Sequence, residues 1–246
     1  MVGDAQVTLE PHHSRIGSPH TNTVLAPSGR THLVLHIGSI SPRDVCNPTD
    51  SCQADDMIEP ATFDQLSAVV RGRRTSMLVD QECEVPTALI EQLCELASWA
   101  PNHKKTWPWK FAAFSGDGRK RLGETMVADM TEADFGDEIK REKTAGKYLR
   151  TPTTLVVGCE AHENRMLHDE NRDAVSAGIQ NLLLGATSLG LASFWSTPAL
   201  SQPPRVLELC EFDATDRVVG LIYLGWAKSF APVPERPPAR LIHIDS

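Results

Sequence analysis

The run from Ala100 to Phe111 sets four polar side chains, Asn102, His103, Lys104 and Lys105, beside the indoles of Trp107 and Trp109, and stiffens the chain with Pro101 and Pro108. An ordinary connector is shorter and richer in Gly, Ser or Asp. These residue types suit a ligand that is flat, apolar and charged at one end, as a flavin mononucleotide is. Each residue also has a plainer reading: His103 as a solvated loop histidine, Trp109 as a core residue opening a strand.

Two further clusters have chemical potential. Arg73-Arg74-Thr75 joins two guanidinium forks to a hydroxyl, a set suited to a phosphate monoester with its several acceptor oxygens. The same arginines also read as a cationic helix end that complements the macrodipole. Trp195-Ser196-Thr197-Pro198 lies where a strand emerges after a buried helix, and by itself is a strand-end turn. No Ser-His-Asp or paired-carboxylate arrangement competes with these clusters. Gly185 to Gly190 lacks both the Lys-Ser/Thr of a phosphate loop and a preceding strand, so it reads as a packed helix with a glycine cap.

The elements that must position these clusters follow from hydrophobic period. Thr62 is a candidate cap for a helix with Phe63, Leu66, Val69 and Val70 at helical spacing. Pro86-Thr87 announces a second helix, with Leu89, Ile90, Leu93 and Leu96 on one face, which must stop before Pro101. Lys110 to Phe114 is strand-like, and Gly116-Asp117-Gly118 turns the chain into a helix from Arg119 to Met130. Asp134 to Lys147 reads as an exposed helix and Thr153 to Gly158 as a buried strand. Ala174 to Leu189 has helical period but is apolar or small almost all round, so it must be buried on several sides, with Gly190 as a left-handed cap. A strand at Ala192 to Trp195, a helix at Pro204 to Cys210 and a strand at Arg217 to Leu224 complete an α/β or α+β pattern without internal repeats.

Composition narrows the function classes. The chain has 246 residues, 41% of them apolar, enough for a normal core in one domain or two. A formal charge of -8 disfavours nucleic acid and anionic membrane surfaces as partners. No apolar run approaches a bilayer span, and the N-terminus lacks the basic and apolar regions of a secretory signal. Six cysteines without a CxxC pair imply reduced thiols and a cytoplasmic location. Cys46 and Cys52, with His32 and His36 upstream, are too loosely spaced for a metal site, so no metal is expected. Residues 1–60, rich in Ser, Pro, His, Thr and Asp, read as an irregular extension, with Met57 a candidate start.

The clusters, in this order and spacing, resemble the nitroreductase family of flavoenzymes, most closely its minimal bacterial branch. The matching stretches are Arg73-Arg74-Thr75, then Ala100-Pro101-Asn102-His103 with Pro108-Trp109-Lys110-Phe111, then Gly190-Leu191 with Trp195-Ser196, and Val218-Val219-Gly220-Leu221-Ile222-Tyr223-Leu224-Gly225. The resemblance implies an α+β three-layer sandwich, a mixed central sheet flanked by helices, built as a homodimer. Residues 61–230 would form the FMN-binding domain, followed by a C-terminal extension at 231–246. It implies an FMN-dependent oxidoreductase that takes electrons from NADH or NADPH and reduces nitroaromatics, quinones or similar small electron-poor acceptors by a ping-pong mechanism on flavin N5.

By the same resemblance Arg73, Arg74 and Thr75 would hold the phosphate and ribityl end, and Thr75 stands where the family usually has Ser. His103 would reach the flavin bound mainly by the other subunit. Trp195, Ser196 and Thr197 would run beside the ring and ribityl chain, and Arg236 would add a phosphate contact. Lys104 and Lys105 are candidates to stabilise the charge of reduced flavin near N1 and O2. Trp99, Trp107 and Pro198 depart from the family's usual Arg, Gln and Gly, which bears on the ring edge and substrate pocket. Dehalogenation, ene reduction and flavin breakdown are associated with the same scaffold. A flavin-binding dimer without useful turnover is the reading from a different class.

Overall fold

The computed structural model describes residues 60–229 and 231–244; the N-terminal extension, the candidate start at Met57 and the Cys46/Cys52 pair lie outside them. Helix α1 (Pro60–Gly72) begins in the proline-tolerant first turn, so Thr62 lies inside the helix rather than capping it. Helix α2 (Thr87–Ser98) buries Ile90, Leu93 and Ala97 at i, i+3 and i+7; of the expected face Leu89 is half-buried and Leu96 is exposed, so the buried stripe is turned toward Ala97. Strand β1 (Trp109–Ser115) leads through Gly116 into α3 (Gly118–Glu132). The exposed helix expected from Asp134 starts later, as α4 (Glu138–Lys147). Asp134 and Gly136 both have positive φ, and the Asp137 carboxylate caps the helix by accepting from Lys140 N.

Strand β2 (Thr153–Cys159) is buried along its whole length. Helix α5 (Arg165–Ser188) is longer than its apolar part, because Asn164 caps it ten residues upstream of Ala174 by accepting from Met166 N and Leu167 N. Gly190, at φ 78°, ends it in the left-handed conformation that a side chain disfavours. Strand β3 (Leu191–Ser196), the short helix α6 (Pro204–Leu209) and strand β4 (Arg217–Trp226) complete the domain.

The four strands form one sheet in the order β1-β2-β4-β3, with every neighbouring pair antiparallel. Among the described residues the parallel component of the expected mixed sheet enters through an isolated bridge between Thr75 and Ser193. Two cores, one on each sheet face, make the three layers. Leu93, Ala97, Ile179, Leu182 and Leu183 from α2 and α5 pack with Leu155, Val157, Ile222 and Leu224. Leu122, Met126 and Met130 from α3 and Val206 and Leu207 from α6 pack with Val156, Leu221 and Tyr223. Each fully buried large aliphatic side chain stabilises the sandwich by roughly 1.5–3 kcal/mol. In β4 the pairing passes from Val157↔Gly220 to Gly158↔Val218, so Val219 is an extra residue and the strand is bulged. The bulge lets Val218 and Leu221, three apart, share one face.

The C-terminal stretch 231–244 has neither helix nor strand and is mostly exposed. No described helix is long and apolar enough to cross a membrane.

Candidate flavin site

Helix α1 ends at Gly72, so Arg73-Arg74-Thr75 leaves its C-terminus as an extended segment that bridges to β3. Thr75 pairs with Ser193 in parallel, and Ser76 N donates to Ser193 O at 3.0 Å. Trp195 follows two residues further along β3, with Ser196 next and Thr197 just past the strand. Because Thr75 and Ser193 pair in parallel, Arg74 lies on the Leu191 side of that bridge, where the two line a common small cavity, and the tryptophan cluster lies on the other side. The Trp195 indole lies against the bare backbone of Gly220, where a Cβ would come within 2.5 Å of Nε1.

The arginines are unequally engaged. Arg74 donates from Nη1 to Arg71 O at 2.6 Å and Arg73 O at 2.7 Å, and from Nε to Pro232 O at 3.1 Å, which ties the C-terminal stretch to the end of α1. Its Nη2 is buried with no partner among the described residues. The Arg73 guanidinium has no ion-pair partner there either. Partial burial and the positive charges of Arg236 and Arg74 hold its pKa below the usual arginine value. Arg73 thus sits under repulsion from two neighbouring cations and beside an unsatisfied donor of Arg74, an arrangement a polyvalent anion relieves. The residues fit a phosphate monoester.

The His103-Lys104-Lys105 segment is a short 3-10 turn at the other end of α5. His103 Nδ1 lies 2.7 Å from Glu170 Oε2. Thr106 Oγ1 donates to Asn171 Oδ1 at 2.5 Å and accepts from Asn102 Nδ2 at 3.0 Å, while Asn102 Oδ1 accepts from Trp107 N at 2.9 Å. Asn171 is buried, and its Nδ2 donates to Glu160 O at 3.4 Å. Above this clamp Lys104, Lys105 and Trp107 all have positive φ, at 59°, 51° and 52°. Such conformations cost about 1–3 kcal/mol each in a residue with a side chain and persist where surrounding contacts over-determine them.

The two halves of the predicted site do not meet within one chain. The loop touches α5 at Glu170 and Asn171, whereas Arg74 and Thr187 line a common small cavity at its other end. From Asn171 to Thr187 the helix axis advances roughly 24 Å at 1.5 Å per residue. That exceeds the length of a flavin mononucleotide.

The family model described as the nitroreductase family matches residues 70–226, more than half of the chain. The chain belongs to the nitroreductase family. It is 30% identical over 178 residues to YfhC of Bacillus subtilis, a protein named provisionally as an NAD(P)H nitroreductase, covering 71% of this chain and 91% of that one. A nitroreductase-like protein of Bacillus cereus superposes with a TM-score of 0.62 at 26% identity, covering 72% of this chain and 95% of that chain. A Bacteroides fragilis nitroreductase with bound FMN shares the fold at a TM-score of 0.58 and 23% identity, over 74% and 99% of the two chains.

Against the usual nitroreductase pattern, the indoles of Trp99 and Trp107 are exposed, and Trp99 Nε1 donates to Glu95 Oε1 one turn back. A cleft of about 340 Å³ between α3 and α6 contains none of the predicted residues. Its one buried carboxylate, Asp129, is engaged by Arg205 N, Val206 N and Arg205 Nη1 and serves to hold α6 in place. The residues that sequence reasoning missed are Glu170 and Asn171, since the helix was expected only from Ala174. A signal for them was present: Asn171 continues the buried stripe Ala174, Val175, Gly178 and Ile179 backward at helical spacing, which makes it a polar residue on an apolar face.

Proposed function

We propose that this chain is a cytoplasmic, homodimeric FMN-dependent oxidoreductase that uses NADH or NADPH to reduce nitroaromatics, quinones or similar electron-poor acceptors, donor and acceptor occupying one pocket in turn. The observation that carries this reading is the unpartnered cation set of Arg73, Arg236 and Arg74 Nη2 next to the strand that carries Trp195. Arg73, Arg74 and Arg236 hold the phosphate, and Thr75 adds a hydroxyl donor. Trp195, Ser196 and Thr197 flank the ribityl chain and ring. His103 comes from the second copy, in keeping with the roughly 24 Å between the two half-sites along α5. The exposed apolar face of α1, Phe63, Leu66 and Val70 at i, i+3 and i+7, supplies surface for that contact. When bound, FMN supplies hydride and electron transfer at N5 that no side chain here provides.

The test is the visible spectrum of the purified protein and its anaerobic bleaching by each nicotinamide. A flavin spectrum bleached by NADH or NADPH and restored by a nitroaromatic or quinone is expected. Arg73→Ala with Arg74→Ala should lose the flavin while the protein stays folded. A colourless monomer that takes up no added FMN refutes the reading.

A further inference from the structure

We propose that the segment Lys104–Trp107, in which both lysines and Trp107 have positive φ and Thr106 is held from below by Asn171, is an acceptor-selecting element that favours aromatic acceptors bearing an anionic group. The inference rests on the flavin reading above, which puts this loop at the edge of the pocket through its neighbour His103.

Lys104 and Lys105 are exposed, and no carboxylate among the described residues pairs with either. The nearest acidic side chain described in contact with the loop, Glu170, is engaged by His103 instead. Two uncompensated ammonium groups on consecutive residues are notable in a chain with a net charge of -8. Directly after them Trp107 presents an exposed indole, tilted at 48° to Trp109 with ring centroids 6.3 Å apart.

A flexible loop would let the two cations fold back onto the acidic surface. This one cannot do so freely. Thr106 is tied to buried Asn171, and Asn102 takes the Trp107 amide, so the backbone on both sides of the two lysines is anchored while their own φ values stay positive. Two ammonium groups carried beside an exposed indole on an anchored backbone match a planar ligand with a carboxylate, sulfonate or phosphate at its edge. The anionic group could belong to the acceptor or to the 2'-phosphate of NADPH. The geometry favours the acceptor, since ring and charge stand within one short loop and a small acceptor carries both on one ring.

The experiment compares 4-nitrobenzoate with 4-nitrobenzamide, which have the same ring and nitro group but differ in charge. Their dissociation constants are measured by equilibrium dialysis on FMN-supplied protein at low salt. The wild-type chain should hold the carboxylate about fivefold to tenfold more tightly, and 0.5 M salt should shrink the ratio. Lys104→Gln with Lys105→Gln should bring the ratio near one. Thr106→Val, which unties the clamp without touching a lysine, should also lower the ratio with the thermal midpoint and flavin content monitored in parallel.

Equal affinities in the wild type, or an unchanged ratio in the double-lysine variant, overturn the proposal. So does a double-lysine variant that changes only the NADPH-to-NADH preference, which would assign the lysines to the donor. A shift of the flavin reduction potential with the benzoate-to-benzamide ratio intact would assign them instead to charge on the reduced ring, and overturns it too. A chain that takes up no FMN defeats the functional reading, whereas a flavin-loaded chain with no charge preference defeats only this inference.

Discussion

Arg73 and Arg74 adjoin in sequence but do different work. Arg74 satisfies the carbonyl oxygens of Arg71, Arg73 and Pro232, whereas Arg73 has no partner among the described residues and sits under repulsion from Arg236 and Arg74. Arg73→Ala should therefore lose flavin at unchanged stability in urea, since it removes like-charge repulsion. Arg74→Ala should lose flavin and also about 1–2 kcal/mol, because carbonyl groups at the end of α1 lose their donor. Parallel urea titrations of the flavin-free proteins check this. Equal stability losses in the two variants would show that Arg73 has a structural partner.

Among the elements, α5 bears the most: it forms one core with α2, anchors the Asn102–Trp107 loop near its N-terminus and delivers β3 at its C-terminus. Its approach to α2 depends on Gly178, where a Cβ would meet Ala97 O and Trp109 Nε1 at 2.6 Å. Gly178→Ala should cost about 2 kcal/mol from overpacking, despite alanine's better helix propensity. A variant as stable as wild type in urea would mean that α2 can move aside. Most of these elements were legible in the sequence because their apolar stripes are regular, as in Ile90 and Leu93 of α2. The N-terminal half of α5 was not, since Arg165 to Asp173 is largely polar and its cap, Asn164, carries the only start signal. The paired arginines, His103 and Trp195 stood out as site candidates only through their combined resemblance to the nitroreductase pattern, since residue type alone left each a plainer reading. That Asn171 clamps the loop was not legible, because the contact joins residues 65 apart in sequence. Spacing within the 102–107 run likewise gave no hint of three positive φ values among bulky residues.

For the whole molecule, the exposed stripe of Phe63, Leu66 and Val70 predicts the assembly state. Phe63→Glu with Leu66→Glu should convert a dimer, measured by light scattering, into a monomer that has lost its flavin. A variant that stays dimeric and yellow would place the interface elsewhere. Stability should also fall at alkaline pH. Burial pushes the Cys94 and Cys159 thiols up to about 11 and Cys210 up to about 12. The unfolded chain then releases thiol protons near pH 9, while the folded chain keeps them, so ionisation favours unfolding above pH 9. The urea midpoint should be flat with respect to these groups below pH 8 and decline from pH 9 upward. A midpoint constant to pH 10.5 would contradict the burial of these thiols.

The order β1-β2-β4-β3 has a consequence for how the protein is made. The strand synthesised last lies between two made earlier, and β3 has no neighbour in the sheet other than β4. While the ribosome is still short of Arg217, the emerged polypeptide has one side of β2 and one side of β3 open, and the other side of β3 meets only the short segment at Thr75 and Ser76. The sheet therefore closes only once β4 has been made. A message ending before codon 217 should yield insoluble product rather than a smaller working enzyme.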